Sequence, residues 1–182
     1  MKKIIFAALL GVSSVMVSAQ AAQLMSHQGT VVAENTTQLL YTQTAESAKI
    51  VPDPTQPGWF ILTLQQVDPK TVWFTDRPKR LAGMLSTQQF VQQWGEGQDS
   101  FENNHPNASI IAVKNHHGKM QYYGEFELTH PQYNVATETL TYEVKAISKS
   151  SEAMSNEGKP MGEVALFVDG ALVLGQCTPA GC

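Results

Sequence analysis

Clustered positive charge is the first thing this sequence lacks. Its 12 lysine and arginine residues are scattered along 182 positions and are outnumbered by 16 aspartate and glutamate residues. A nucleic-acid interface needs grouped basic side chains that neutralise phosphates. The composition therefore argues against nucleic acid as a partner, and against an anionic membrane surface for the same reason.

The familiar short catalytic motifs are missing as well. The sequence contains no H-E-x-x-H zinc-protease motif, no G-x-S-x-G nucleophile elbow and no phosphate-binding loop with its lysine. Paired carboxylates for glycoside hydrolysis have no local signature, because two such side chains can meet in space from distant positions. These absences favour a protein without catalytic activity, although they leave the question of an enzyme open.

Cysteine occurs only at Cys177 and Cys182, with Pro179 and Gly181 between them. In an oxidising compartment, such a close pair most simply closes a small disulfide loop. A zinc site would need further thiol or imidazole ligands nearby, and the spacing differs from the C-x-x-C of oxidoreductases. We expect a disulfide-closed C-terminal tail over residues 177–182.

The sequence has one long apolar run, at its N-terminus. A pair of lysines precedes the uncharged stretch Ile4–Val17, which is too short for a transmembrane helix of about 20 residues. Ala19 and Ala21 then have the spacing that signal peptidase recognises. This order predicts a bacterial signal peptide over residues 1–21, with cleavage after Ala21 and no membrane span in the mature chain.

Cleavage would leave one folded domain outside the cytoplasm. Loss of the two lysines changes the net charge from −4 to −6, since no other charged side chain lies in the signal peptide. A chain of the remaining length buries roughly two thirds of its unfolded surface, which is enough for a single core. We therefore expect a secreted or periplasmic protein.

The mature chain is patterned for β-structure. Residues 22–57 are weakly patterned and predict an N-terminal arm with edge strands, whereas residues 58–176 predict a single β-sandwich domain. Apolar runs bounded by turn residues predict strands at residues 59–67, 71–75, 109–113, 119–128, 140–147, 164–168 and 171–174. Polar segments at residues 130–139 and 149–162 are expected to be loops. The fold class is mainly β, an antiparallel sandwich or a partly closed barrel.

One short helix is expected within this β-structure. Ser86 followed by Gln89 is a capping box, Phe90 and Trp94 recur at helical spacing, and Gly95 marks the end.

A hairpin turn is expected at residues 115–118, between two strands. On the second of these strands, the adjacent Tyr122 and Tyr123 must face opposite sides of the sheet, so one of them is expected to face away from the core.

A distinctive segment, Val72–Pro78 followed by Arg80, Ala82 and Gly83, accompanies the second predicted strand. Its Asp-Arg-Pro core resembles a segment of an uncharacterised family of secreted bacterial proteins, and the resemblance covers roughly residues 58–170. In size and style the chain is also similar to small substrates of Gram-negative type II secretion. The resemblance implies a shared exported domain and assigns no reaction.

Asp76, Arg77 and Arg80 in this segment form the first candidate site. Two neighbouring guanidinium groups could bind a carboxylate, sulfate or phosphate. Alternatively, Asp76 accepts hydrogen bonds from its turn and pairs with one arginine, which would lock the corner of the chain. The structural interpretation is the simpler one, and both stay open.

Histidine supplies the second candidate site. His105, His116 and His117 could bind copper or zinc together with nearby carboxylates, although His116 and His117 are expected to be exposed at a hairpin tip. The acidic and amide-rich segment 96–105 could also offer oxygen ligands to calcium, but it lacks the spacing of a calcium loop. No cofactor other than such a metal ion is predicted.

Three functions therefore remain open. The first, which the abundance of strands and turns favours, is a binding or interaction domain for an unknown protein or small ligand. The second is a metal-binding protein or metal-dependent enzyme that uses histidine with aspartate or glutamate. The third is a structural or assembly protein of the cell envelope.

Overall fold

The computed structural model describes residues 38–77, 80–114, 118–158 and 160–170. The predicted signal peptide, the last predicted strand at residues 171–174, and Cys177 and Cys182 lie outside these ranges. Within them, the chain is mainly antiparallel β-structure with two short helices, which confirms the predicted fold class.

The described part of the chain has nine strands in one sheet. They are β1 (Leu39–Pro52), β2 (Trp59–Val67), β3 (Lys70–Thr75), β4 (Ala82–Ser86), β5 (Asn107–Lys114), β6 (Lys119–Asn134), β7 (Thr139–Ala146), β8 (Pro160–Met161) and β9 (Val164–Gly170). Helix α1 spans Thr87–Gln92 and continues into a 3-10 turn at Gln93–Gly95, and helix α2 spans Lys149–Asn156.

Strand pairing closes into a ring of six strands. The order is β1, β2, β7, β6, β5 and β9, and β9 pairs with β1 again. Strand β1 is long enough to pair with four other strands. One of its edges pairs with β9 and β8, and the other edge pairs with β3 and β2. Strands β3 and β4 continue the sheet beyond the ring.

The N-terminal arm over residues 22–57 was predicted to contain edge strands. Strand β1 lies in this arm but is paired on both sides, so it is not an edge strand. Its weak sequence pattern has a physical cause. Several inward positions of β1 carry polar or small side chains, namely Gln43, Ala45 and Ala48, instead of large apolar ones. A buried glutamine and buried alanines do not produce the alternation by which half-buried strands are recognised.

The predicted helix is present with its capping box. The Ser86 hydroxyl oxygen accepts from the Gln89 backbone N–H at 3.0 Å, and the Gln89 side-chain oxygen accepts from the Ser86 N–H at 3.0 Å. The helix and its turn bring Phe90 and Trp94 into the core. There they pack with Tyr41, Phe101 and Tyr142, with ring centroids 4.9 to 6.1 Å apart.

Two predicted loops are wrong. Strand β6 continues through His130–Asn134 after a register shift between Thr129 and Gln132, where His130 has a φ of 47°. Helix α2 occupies the start of the second loop, and its buried residues are Ser151 and Ser155. A bulge and a helix with a serine face both lack the apolar periodicity that sequence patterns report.

The predicted hairpin joins β5 and β6. Their pairing starts with Lys114 opposite Lys119, next to the turn, and ends with Asn107 opposite Glu127. Its tip, with His116 and His117, lies outside the described residues. The prediction about the tyrosine pair is confirmed, because Tyr122 is exposed and Tyr123 is buried.

Candidate functional site

Outward-facing side chains on four strands line up across the sheet. In β3, every second residue is exposed and the residues between are buried. The strand register then places exposed neighbours side by side. One row consists of Met84, Val72, Thr42 and Phe167, and the next row consists of Phe74, Leu40 and Asp169.

Five side chains of these rows, Leu40, Val72, Phe74, Met84 and Phe167, are large and apolar, and we call them the outer apolar face. Phe74 is 37% exposed, Phe167 41% and Met84 57%. They lie on β1, β3, β4 and β9, so the face crosses four neighbouring strands. Contiguous exposed apolar surface of this kind marks sites of interaction in soluble proteins.

Part of this face forms the wall of a groove of about 490 Å³. Leu40, Phe74, Phe167 and Ile147 supply its apolar lining, while its polar lining comes from Asn107, Ser109, Glu125 and Asp169. This volume lies within the range of roughly 300 to 1,000 Å³ that small-ligand sites occupy. The groove can therefore accept an apolar group together with a few hydrogen-bonding atoms.

The polar side of the groove is rich in acceptor oxygens. The Tyr122 hydroxyl lies near the side chains of Glu125 and Ser109, and its pKa is raised, first by partial desolvation and then by Glu125. Asp169 accepts a hydrogen bond from the Gln38 side-chain amide at 3.1 Å. Carboxylate oxygens at this wall would favour a ligand that carries hydrogen-bond donors.

The structure places Asp76, Arg77 and Arg80 directly after β3, close in the chain to Phe74. Asp76 Oδ1 accepts from the Arg77 backbone N–H at 2.6 Å, and the Asp76 carbonyl accepts from the Arg80 N–H at 3.4 Å. Arg80 has a φ of 49°. The hydrogen bond from the turn to Asp76 is thus present, whereas in the described ranges no ion pair joins Asp76 to either arginine. Within the described ranges, neither guanidinium group has an ion-pair partner, so the anion-binding hypothesis for Arg77 and Arg80 stays a prediction.

The two histidines in the described ranges, His105 and His130, each lie beside a carboxylate. His105 Nδ1 lies 3.3 Å from Glu127 Oε1, and His130 Nδ1 lies 3.0 Å from Glu143 Oε2. Among residues 38–77, 80–114, 118–158 and 160–170, no three histidine, cysteine, aspartate or glutamate side chains form a group that could hold a metal ion. His105 is thus placed beside Glu127, and the metal hypothesis for His105, His116 and His117 stays a prediction.

The outer apolar face is a surface that the sequence patterns above did not predict. Trp73 is fully buried, whereas its neighbour Phe74 is exposed. The signal was available, because adjacent residues on a regular strand face opposite sides. With Trp73 in the core, Phe74 must face away from it, just as Tyr122 faces away from the side of Tyr123.

No protein-family model, curated protein or solved structure matches this chain. The two helices of the described ranges are both too short to cross a bilayer. The candidate site therefore rests on its own geometry.

Proposed function

We propose that this protein is an exported binding domain without catalytic activity, and that the outer apolar face is its binding surface. The observation that supports the proposal is the exposure of Phe74, Phe167 and Met84 on neighbouring strands. Complete transfer of one large apolar side chain from water to an interface is worth about 1.5 to 3 kcal/mol, and each of these partly exposed side chains would contribute a fraction of that. A partner that covers the face would remove several of these side chains from water at once.

The groove indicates the chemistry of a ligand that fits this face. Its apolar lining would contact a hydrocarbon or aromatic group, and Glu125 and Asp169 would accept hydrogen bonds at its polar side. A small number of placed polar groups in an apolar lining is typical of binding sites that orient their ligands.

Phe167→Ser is expected to weaken binding of an apolar dye, bis-ANS, about tenfold. The serine removes a large part of the apolar lining, and a loss of about 1.4 kcal/mol corresponds to a tenfold change in Kd. The measurement is a fluorescence titration of the folded protein with the dye.

Val135→Ser is the matched control for this substitution. Val135 is 56% exposed but does not line the groove, so its substitution should leave the dye affinity unchanged. Equal losses from the two variants, or no loss from Phe167→Ser, would contradict the proposed surface.

Export is part of the same proposal and is supported by the basic start, the apolar run and the alanine spacing of residues 1–21. Intact-mass spectrometry of protein recovered from the periplasm or medium of a Gram-negative host should show a chain that begins at Ala22. Its mass should be two hydrogens below that of the reduced chain, because Cys177 and Cys182 are joined. Cys177→Ser should abolish that difference after its own mass change is counted, and retention of residues 1–21 would sink the export proposal.

Metal binding, envelope assembly and secretion by the type II route stay predictions, because no contact of the described residues favours any of them.

A further inference from the structure

The outer apolar face ends at an open sheet edge. Within the described ranges, β4 pairs with β3 alone and is the last strand of the sheet order. Met84 belongs to this strand, so the apolar surface reaches the edge itself. A sheet edge presents unpaired backbone groups that another chain can bind.

The hydrogen bonds around β3 and β4 show which backbone groups point outward. The Thr75 N–H donates to the Leu81 carbonyl and the Thr87 N–H donates to the Pro69 carbonyl. In an antiparallel ladder, bonded and non-bonded pairs alternate. Between these two hydrogen bonds, the hydrogen-bonded residue pairs of β3 and β4 are therefore Trp73 with Gly83 and Thr71 with Leu85. The N–H and C=O groups of Ala82 and Met84 consequently point away from β3.

The side chains of β4 do little to protect this edge. Residues 81–85 are Leu, Ala, Gly, Met and Leu, without a charge or a proline. Natural edge strands commonly carry lysine, proline or a bulge to prevent pairing. The short length of β4 limits how many backbone hydrogen bonds a partner can form, because its two outward-pointing residues offer only four.

Building on the proposed function, we infer that β4 binds a partner protein by strand addition. The class of partner is a protein with an extended segment. An extended backbone supplies donors and acceptors at the spacing that Ala82 and Met84 present. Partner side chains opposite these two residues would lie on the outward side, where Val72 and Met84 are exposed. The partner segment should therefore carry apolar side chains at alternate positions.

Charge identifies one end of that segment. Arg80 precedes β4 by two positions, Arg77 follows β3 by two positions, and both are exposed. The partner segment should place a carboxylate there, which gives the anion-binding hypothesis for Arg77 and Arg80 a specific ligand. A second copy of this chain fits less well. Antiparallel pairing centred on Gly83 would place Ser86 opposite Arg80, and residues 80–86 contain no acidic side chain.

The test uses NMR-detected amide exchange on the folded protein. The probe is a blocked heptapeptide in which valine alternates with threonine and glutamate stands at one end. At saturating peptide, exchange of the Ala82 and Met84 amides should slow at least tenfold. The amides of Gly83 and Leu85, already bonded to β3, should change little.

Two variants separate the backbone and charge contributions. Ala82→Pro removes an N–H that points to the open edge and takes nothing from the β3–β4 ladder, so it should abolish peptide binding. Ala82→Thr keeps that N–H and should bind normally. Arg80→Gln should remove the preference for the glutamate peptide over its glutamine counterpart. If Ala82→Pro does not fold, peptides N-methylated at each position in turn test the same bond from the ligand side, and at least one should fail to bind.

Several results would overturn strand addition while leaving the proposed surface intact. One is a set of chemical-shift changes confined to the side chains of Leu40, Phe74 and Phe167, with no protection of the Ala82 and Met84 amides, which would place the peptide in the groove. Another is that the protein does not bind the peptide although its dye binding still depends on Phe167. Protection of Ala82 and Met84 that rises with protein concentration without peptide would identify a second copy as the occupant. Loss of the Phe167 dependence itself would instead contradict the proposed function.

Discussion

Replacing Gly83 with alanine is expected to lower the free energy of unfolding by about 3 kcal/mol, near the upper end of the usual overpacking range. A Cβ atom at Gly83 would lie 2.5 Å from Cζ2 and 2.7 Å from Cε2 of Trp73. The Trp73 indole cannot move away easily, because it is fully buried. Urea denaturation followed by tryptophan fluorescence measures the loss.

Gly95→Ala is the control for this prediction. A Cβ atom at Gly95 would meet nothing within 4 Å, so the free energy of unfolding should change by no more than about 0.5 kcal/mol. A double-mutant cycle with Trp73→Phe should show that the cost of alanine at Gly83 depends on the indole. Equal effects at Gly83 and Gly95 would show that the close approach is not a constraint.

The same substitution connects packing to function. Gly83 lies between Ala82 and Met84, the residues whose backbone groups form the open edge. A shift of β4 away from Trp73 would change the position of these groups. Strand addition should therefore weaken in Gly83→Ala protein under conditions in which it remains folded.

Gln43→Leu is expected to cost about 2 kcal/mol, because it leaves a buried hydroxyl without its acceptor. Gln43 is 1% exposed and lies in the core. Its amide oxygen accepts from the Tyr142 hydroxyl at 2.8 Å, and its amide nitrogen donates to Thr71 Oγ1 at 3.2 Å. Burial also raises the pKa of Tyr142, so the phenol stays protonated as the donor at neutral pH.

Tyr142→Phe tests the origin of that cost. Removing both the amide and the phenol leaves neither partner unsatisfied, so the double variant should be less destabilised than the sum of the two single variants by about 1 kcal/mol. Thr71 Oγ1 also contacts Thr87 Oγ1 at 3.1 Å, so it should retain a hydrogen-bond partner in all three variants. Strict additivity in urea denaturation would show that the amide and the phenol do not depend on each other.

The sequence was sufficient wherever the structural signal is local. Strand β2 begins and ends at the predicted residues, and the capping box of Ser86 and Gln89 forms as expected. The exposure of Tyr122 followed from the geometry of one strand alone. Each of these features depends on residues that are neighbours in the chain, so short-range propensity and periodicity contain the information.

Features that depend on distant contacts were predicted poorly. The inward positions of β1 tolerate Gln43 because Tyr142 and Thr71 satisfy its amide, and these partners come from other strands. Helix α2 buries Ser151 instead of an apolar side chain, and its hydroxyl accepts from the Glu125 N–H at 3.0 Å. Such tertiary hydrogen bonds allow polar residues to be buried without a pattern that marks them in sequence.

The candidate site shows the same division. By itself, the sequence determined the strand periodicity, the lack of a recognisable catalytic motif and the arginine-bearing turn after β3. Only the tertiary structure decided that Leu40, Phe74 and Phe167 share one surface and that β4 lies at its edge. The reason is that strand register, set by pairing between distant segments, determines which outward side chains become neighbours.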